Sequence, residues 1–312
     1  MHQALRPDDY SGIFGVTVTP FTDDGANVDE TRLADLVTEL LADGVDRLVP
    51  NGNTGEYHAL TAEERRRVLE VTAEAASGRA RVLLAGVGGA VPDAAAAAEH
   101  AARAGATAVM AHYPVHPHVT QDGFLDYLAA VAARSPLPVV PYLKTPLDED
   151  GVRRLVDIPG VVAVKWGLND LPGFARAIAV TAGRSSVRWI CGTAEMWAPF
   201  FWAVGAVGFT SGLVNVTPGP SFALLGALEG GDRDAALAAW NAIRPFEQLR
   251  TRRSDGWNVA VVKAAMRQVG RPAGPVRPPS SPLGEGEERE IAGILAAWGV
   301  ERSADRAALA AR

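Results

Sequence analysis

Lysine is scarce in this 312-residue chain: Lys144, Lys165 and Lys263 are its only lysines, and arginine supplies the rest of the basic charge. Where arginine does the surface work, each lysine invites a chemical reason. Lys165 ends the apolar run VVAVK (161–165), which puts an amine at the mouth of a strand buried on both faces. Desolvation there disfavours the ammonium and moves its pKa from about 10.4 towards 7–8. A neutral lysine adds to a ketone and forms a Schiff base, an electron sink for C–C or C–O cleavage. The other reading of the same position is a lysine that snorkels from a strand end to water. Tyr142 ends the preceding apolar run, PVVPYLK (138–144), so both side chains line one mouth. Its phenol is either a proton shuttle to a carbinolamine or an aromatic of the rim.

The segment NGNTGE (51–56) is a glycine-flanked turn after another apolar run. Either its backbone N–H groups converge on a carboxylate, with the Thr54 hydroxyl relaying a proton, or it is an ordinary strand-to-helix loop. Further polar residues at strand-like ends are His112, His116, Thr193, Glu195, Ser211 and Asn215. The three histidines of HYPVHPH (112–118) raise a metal reading, but prolines preclude a helix and no acidic ligand is nearby in sequence. They are taken as loop or substrate-contacting side chains, and no metal is expected. Cys191, the single cysteine, lies in an apolar run and reads as a core residue; it excludes a disulfide framework. MWAPFFW (196–202) has helical spacing and reads as packing, within the chain or against a partner subunit. Asp8, Asp9 and the GEGEERE run read as solvated faces.

Elements able to position such a set are legible in the apolar periodicity. Eight strand-like runs begin near residues 13, 46, 81, 108, 138, 161, 187 and 207, and each is followed by a helical pattern. Near-continuous apolar runs suit a parallel sheet buried on both faces. Eight β-then-α units favour a closed (β/α)8 TIM barrel over an open doubly wound sheet, which would want a glycine-rich loop after its first strand. TPFTDDG is not such a loop. Beyond residue 230 the pattern is purely helical, over roughly 232–251, 255–269 and 285–299, with a Pro/Gly-rich connector at 271–288. The expected organisation is a barrel over 10–230, a C-terminal helical region over 231–300 packed on it, and tails at 1–9 and 301–312.

Composition narrows the function. Hydrophobic residues are 48% and charged residues 21%, a globular balance. The formal net charge of −6 leaves no basic field for nucleic acid or anionic lipid. Apolar runs fall short of the roughly 20 residues a bilayer crossing needs, and MHQALRPDDYSG lacks a signal-peptide core. A cytoplasmic location is therefore expected, with no membrane partner.

With these residues in hand, the chain resembles the dihydrodipicolinate synthase/N-acetylneuraminate lyase family of Schiff-base barrels. The landmarks run in order over about residues 10–300: VTPF (18–21), GNTGE (52–56) with LTAEER (60–65), QDG (121–123), the tyrosine of VVPYLK, the lysine of VVAVK, GAVGFTSGLVN (205–215) and VRPP (276–279). The resemblance implies that Lys165 is the Schiff-base lysine, Tyr142 the proton-shuttling tyrosine and Thr54 the hydroxyl of the carboxylate-binding loop. It implies a 2-oxo acid substrate, no cofactor, and a homotetramer built from dimers. Substrate contacts are expected from the backbone of Asn53, from Gly55, Gly192 and His116, and, at the distal polar end, from Lys144, Ser211 and Asn215.

Within the family, lysine-pathway synthases carry an arginine five residues after the strand-five tyrosine, where this chain has Leu147, and a tyrosine pair where it has Val115 and His116. The 5-dehydro-4-deoxyglucarate dehydratases resemble it more, through Tyr57 after the GE, a KDGxGD-like turn at 165–170, TAE (193–195), Thr210 with Ser211, and GRPAGPVRPP (270–279). Trp166, Asn169 and Leu143-Lys144 depart from that pattern. The leading expectation is a decarboxylating hydro-lyase of this kind. The alternatives are a pyruvate-dependent aldolase or synthase and a non-catalytic 2-oxo-acid-binding paralogue.

Overall fold

The computed structural model describes residues 5–116 and 118–300. Of the expected tails, residues 1–4 and 301–312 lie outside the described residues. Eight parallel strands follow one another in chain order and close into a barrel. They are β1 (Gly12–Gly15), β2 (Arg47–Leu48), β3 (Val82–Val87), β4 (Ala108–Ala111), β5 (Val139–Leu143), β6 (Ala163–Trp166), β7 (Arg188–Cys191) and β8 (Gly208–Ser211). The helices between and after them are α1 (Glu30–Ala42), α2 (Ala62–Ala76), α3 (Val91–Ala104), α4 (Gln121–Ala132), α5 (Glu149–Asp157), α6 (Leu171–Thr181), α7 (Ala194–Trp202) and α8 (Gly219–Glu229). Three more, α9 (Arg233–Thr251), α10 (Asn258–Gln268) and α11 (Glu285–Ala297), make the C-terminal helical extension. The fold is thus the (β/α)8 barrel that the eight apolar runs predict.

The chain divides into two compact units. The first, residues 5–14, 46–49 and 78–210, holds nearly all of every strand together with α3 to α7. Its strands are almost wholly buried because both faces are apolar: β3, β4, β5 and β6 have no exposed residue. Behind β6 and β7 lies an aromatic layer. Trp166 meets Phe174 of α6 at 5.4 Å and Trp189 at 6.1 Å, and Phe174 meets Phe201 of α7 at 4.7 Å, all edge-on. Such pairs contribute about 0.5–1.5 kcal/mol each beyond area burial. Trp166, which stands outside the dehydratase pattern, fills this layer with its side chain. Part of MWAPFFW packs likewise, Phe201 being fully buried.

Helix starts in this unit account for several of the sequence landmarks. Thr120 caps α4 by accepting from the Gly123 N–H at 3.1 Å, and Asp148 caps α5 by accepting from Gly151 at 2.8 Å. Gln121 of the QDG turn clamps that second cap, donating to Asp148 Oδ1 at 3.0 Å and accepting its N–H at 2.9 Å. Asp170 of the 165–170 turn caps α6 through Gly173 N–H at 2.9 Å. Each such cap stabilises its helix by about 1 kcal/mol.

The second unit, residues 15–45, 50–77 and 211–300, holds α1, α2, α8 to α11 and the loops after β1, β2 and β8. Asp29 caps α1, and Thr61 with Glu64 forms a capping box on α2, which is what LTAEER encodes. The apolar runs overstate strand length here. The run at 13–21 is a strand only to Gly15, after which Val16 donates to Ser211 O and Val18 to the Asn215 side chain. The run at 207–215 likewise turns into a 3-10 turn, Leu213–Asn215. Burial, not pairing, is what makes those segments apolar.

Of the two acidic residues expected as a solvated face, Asp8 is exposed and Asp9 is not. Asp9, in the short 3-10 turn Pro7–Tyr10, is buried and accepts from Arg81 Nε at 2.7 Å and Arg6 N–H at 2.6 Å. Burial alone would raise its carboxyl, but those donors outweigh it and hold it below the usual range. Asp8 pairs with Arg188.

The seam between the first and last strands leaves no room for a side chain. Gly12 N–H donates to Val207 O at 2.9 Å, and a Cβ on Gly208 would lie 2.5 Å from Gly12 O. Gly208→Val is therefore expected to lower stability by about 1–3 kcal/mol, since backbone cannot yield as a flexible side chain can. Urea denaturation with an unchanged midpoint would contradict this account of the seam.

Candidate active site

In the barrel unit, register brings the two principal residues side by side. Tyr142 of β5 lies opposite Lys165 of β6, and Lys165 opposite Ile190 of β7. Side chains in register on neighbouring strands share a face. The Lys165 Nζ accordingly stands 4.0 Å above the Tyr142 ring centroid. Lys165 is only 3% exposed, so the snorkelling reading fails. Burial pulls its pKa down to about 7, and the nearby Lys144 ammonium pulls the same way. An amine so placed is unprotonated in about half of the molecules at neutrality and is held against a phenol. It can attack a carbonyl, and the phenol can move the protons of carbinolamine collapse.

Neighbours of this pair shape the space around it. Lys144 is exposed, with its Nζ 4.9 Å from the same ring. Gly192 closes β7, where a Cβ would come within 2.8 Å of Lys165 Cγ and 2.7 Å of Trp166 O. It therefore acts by leaving room for the lysine stem. Cys191 is buried, and burial pushes its thiol up to about 12, so it is no rival nucleophile at neutral pH. Its Sγ lies 3.5 Å from Thr193 Oγ1, and the fully buried Glu195 follows Ala194, which is held at φ +59°. A left-handed alanine costs of order 1 kcal/mol and must be imposed by its surroundings.

His116 does not join this group. It is exposed, accepts from His118 N–H at 3.1 Å through Nδ1, and packs ring to ring with His118 at 5.9 Å. Exposure rises along the segment from His112, at the end of β4, to Val115 and His116. The histidine beside Tyr142 is instead His112, buried at the end of that strand, with ring centroids 6.2 Å apart. Among the described residues no group of three or more His, Cys, Asp and Glu side chains could hold a metal.

The second unit carries the NTGE loop. Its left-handed residues are Asn51 (φ +59°) and Glu56 (φ +55°), not the two glycines on which the nest reading leaned. Gly55 is needed for close approach: a Cβ would lie 2.9 Å from Thr17 O, and its carbonyl accepts from Thr19 Oγ1 at 2.7 Å. Asn51 Nδ2 donates to Arg65 O at 2.8 Å, while Glu56 N–H donates to Asn53 O at 3.0 Å. Thr54 is buried between these anchors. Tyr57, next along, accepts from Arg65 Nη1 at 3.0 Å under its guanidinium.

Two residues expected at the distal end of a substrate are committed elsewhere. Asn215 Oδ1 accepts from Val18 N–H at 3.1 Å, and its Nδ2 donates to Val16 O at 2.9 Å and Gly212 O at 2.8 Å. With its amide thus occupied and fully buried, it ties the loop after β8 to the loop after β1. Ser211 accepts from Val214 N–H at 3.2 Å and faces Ser221 Oγ at 3.5 Å, also fully buried.

Sequence reasoning missed one cluster. Lys263 of α10 is 3% exposed, and its Nζ lies 2.7 Å from Oε1 of Glu56, which is 0% exposed. Burial lowers the ammonium to about 8, with the Glu56 carboxylate opposing the shift. The second carboxylate oxygen accepts from Arg277 N–H at 2.8 Å. The available signal was the scarcity of lysine itself, because Lys263 is the third of the three.

A profile of the Dihydrodipicolinate synthetase family matches residues 9–298. The 4-hydroxy-tetrahydrodipicolinate synthase 1 of Streptomyces coelicolor is 35% identical, over 96% of this chain and 98% of its own length. The probable 5-dehydro-4-deoxyglucarate dehydratase 2 of Streptomyces avermitilis is 34% identical, over 94% of this chain and 88% of its own. The crystal structure of dihydrodipicolinate synthase from Oceanobacillus iheyensis matches with a TM-score of 0.91 and 39% identity, covering 95% of this chain and 98% of that one. A match of this extent in sequence and fold establishes descent, and the chain belongs to the Dihydrodipicolinate synthetase family of lyases.

Proposed function

We propose that the protein is a Schiff-base lyase acting on a 2-oxo acid, most like a 5-dehydro-4-deoxyglucarate dehydratase. The observation that carries the reading is Lys165, buried in the barrel, lowered to about 7 and set against the Tyr142 ring. Its amine attacks the ketone carbon, and the carbinolamine loses water to give an imine. Removal of a proton from the adjacent CH2 gives an enamine, which expels the next hydroxyl as water. Loss of the distal carboxylate as CO2 leaves its electron pair in the conjugated system as a dienamine, which takes up protons on carbon to become an imine again, and hydrolysis of that imine returns the free lysine. Tyr142 is the proton carrier for these steps.

Sequence motif, rather than geometry, assigns the carboxylate beside the ketone to the N–H groups of Asn53 and Thr54, and a proton relay to the Thr54 hydroxyl. The dehydratase branch is favoured by Tyr57, by TAE at 193–195, and by the absence of an arginine at 147, where Leu147 is buried. The second reading, a synthase or aldolase condensing pyruvate with an aldehyde, is supported by the 35% identity to the Streptomyces coelicolor synthase. A homotetramer built from dimers is part of the proposal. Val115, a large hydrophobic side chain 104% exposed at the end of the β4 loop, supports a face open to a second copy.

Borohydride trapping with pyruvate and with 5-dehydro-4-deoxyglucarate, offered separately, tests the class. Peptide mass spectrometry is expected to place the adduct on Lys165, and the dehydratase reading requires turnover of the keto-deoxy acid alone, without an aldehyde. Lys165→Ala is expected to lose at least about 10³-fold in activity while keeping a cooperative thermal transition; retained turnover would sink the mechanism. The acid limb of kcat/KM is expected near pH 7, with activity rising about tenfold from pH 6 to 8, because only the unprotonated amine attacks. A rate still climbing towards pH 10 would mean that the lysine is not desolvated in solution. Light scattering is expected to return the mass of a tetramer, and a monomer at assay concentration would remove that part of the proposal.

A further inference from the structure

The NTGE loop is held by a residue that comes about two hundred positions later in the chain. Glu56 sits in the left-handed region, where a side chain is unfavourable unless something compensates. Its fully buried carboxylate takes Lys263 Nζ at 2.7 Å on one oxygen and Arg277 N–H at 2.8 Å on the other. Lys263 is fixed in turn. It donates to Pro275 O at 3.0 Å and stands 4.1 Å over the Phe21 ring, while the Arg277 guanidinium lies 3.9 Å over the same ring. Arg277 also donates to the carbonyls of Gly25 and Ala26 and pairs with Glu64 at 2.8 Å.

These contacts converge on the turn that presents Asn53 and Thr54. On its N-terminal side the loop is tied by Asn51 to Arg65 O, and at Gly55 by the Thr19 hydroxyl. The Glu56 backbone is itself bonded, its N–H to Asn53 O at 3.0 Å and its carbonyl to the Ala59 N–H at 2.8 Å, but these are neutral bonds that a relaxation of Glu56 into the ordinary right-handed region could exchange for water. Such a relaxation would swing the carboxylate away from Arg277 and turn the peptide N–H groups preceding it. Only the Lys263 ion pair, reaching in from α10, opposes that rotation with a charge.

We propose that Lys263 is a positioning residue for substrate binding, holding the NTGE loop through Glu56 so that its N–H groups face the carboxylate of a 2-oxo acid. This rests on the carboxylate-binding role given to that loop above. Lys263 need not touch substrate; its ammonium is spent on Glu56 and Pro275. Its loss is expected to weaken capture of the acid while leaving the Lys165 amine competent.

The test uses the full chain and pyruvate as the probe, titrated in borohydride trapping and read as the fraction of Lys165 carrying adduct. Lys263→Met alone would leave the Glu56 carboxylate buried without its cation and fold poorly. The double variant Glu56→Gln/Lys263→Met removes both charges, and Glu56→Gln alone, which leaves the Lys263 amine with Pro275 O as an acceptor, is the second variant. Both are expected to raise half-saturating pyruvate at least tenfold, with the adduct yield at saturation within twofold of the native protein. Trp298→Ala, which removes an indole donating to Ala242 O at 3.0 Å, serves as a variant weakened elsewhere. Its half-saturation is expected to stay native. Native half-saturation in a folded Glu56→Gln or double variant would overturn the proposal. So would an equal rise in Trp298→Ala, which would reduce the effect to general stability. Absence of adduct in the native protein with pyruvate and with 5-dehydro-4-deoxyglucarate alike would instead overturn the Schiff-base reading, and this proposal with it.

Discussion

Removing an ammonium from water is costly, and two buried lysines of this chain are treated in opposite ways. Both Lys165 and Lys263 are about 3% exposed. Lys263 faces a carboxylate, which offsets the desolvation and leaves the amine at about 8. Lys165 faces an aromatic ring and, beyond it, another ammonium, so its lowering to about 7 has a contribution from like charge as well as from burial. The first arrangement keeps a cation as a fixture. The second stores a nucleophile, because the free energy withheld from the ammonium is returned when the nitrogen becomes neutral.

The surroundings of Lys165 follow from that requirement. A buried amine without a carboxylate is accommodated by losing its proton, and the barrel packs the strand that carries it from behind. Trp166, Trp189, Phe174 and Phe201 fix β6 and β7 against α6 and α7, so that Lys165 projects to the other side. Gly192 then leaves room for the lysine stem where any Cβ would strike it. The Asp170 cap holds α6, which carries Phe174 of this layer. Motifs such as QDG therefore mark how the scaffold is pinned, and the chemistry is concentrated in very few residues.

In the second unit the governing cost is a buried carboxylate. Breaking a buried pair by deleting one partner typically costs about 3–5 kcal/mol, because the survivor keeps its desolvation penalty. The Glu56–Lys263 pair is therefore worth more as a constraint on geometry than as a source of stability. It joins the loop after β2 to α10 and to the segment bearing Arg277. A second buried pair, Glu247 with Arg250 at 2.6 Å, lies on α9 and is completed by Asn258 at the start of α10. The C-terminal helices thus bring their own charges to the loops they share a unit with.

Much of this was determined by the sequence itself. Eight apolar runs alternating with helical periodicity specify a parallel barrel, because a strand covered on both faces must be apolar throughout. The isolated lysine ending VVAVK, one run after the tyrosine of VVPYLK, specifies a candidate Schiff-base pair, since neighbouring parallel strands bring their ends together. What linear patterning could not decide was the partner of each polar group. Asn215 and Ser211 stand at a strand-like end as a binding residue would, yet their groups are consumed by Val16, Val18, Gly212 and Val214. Asp9 looked solvated and is buried on Arg81. Lys263 and Glu56 are far apart along the chain and show no shared period. Hydrophobic burial is a property each residue carries alone, so it is written along the sequence. Hydrogen-bond and charge compensation belongs to pairs, and only the tertiary structure chooses them.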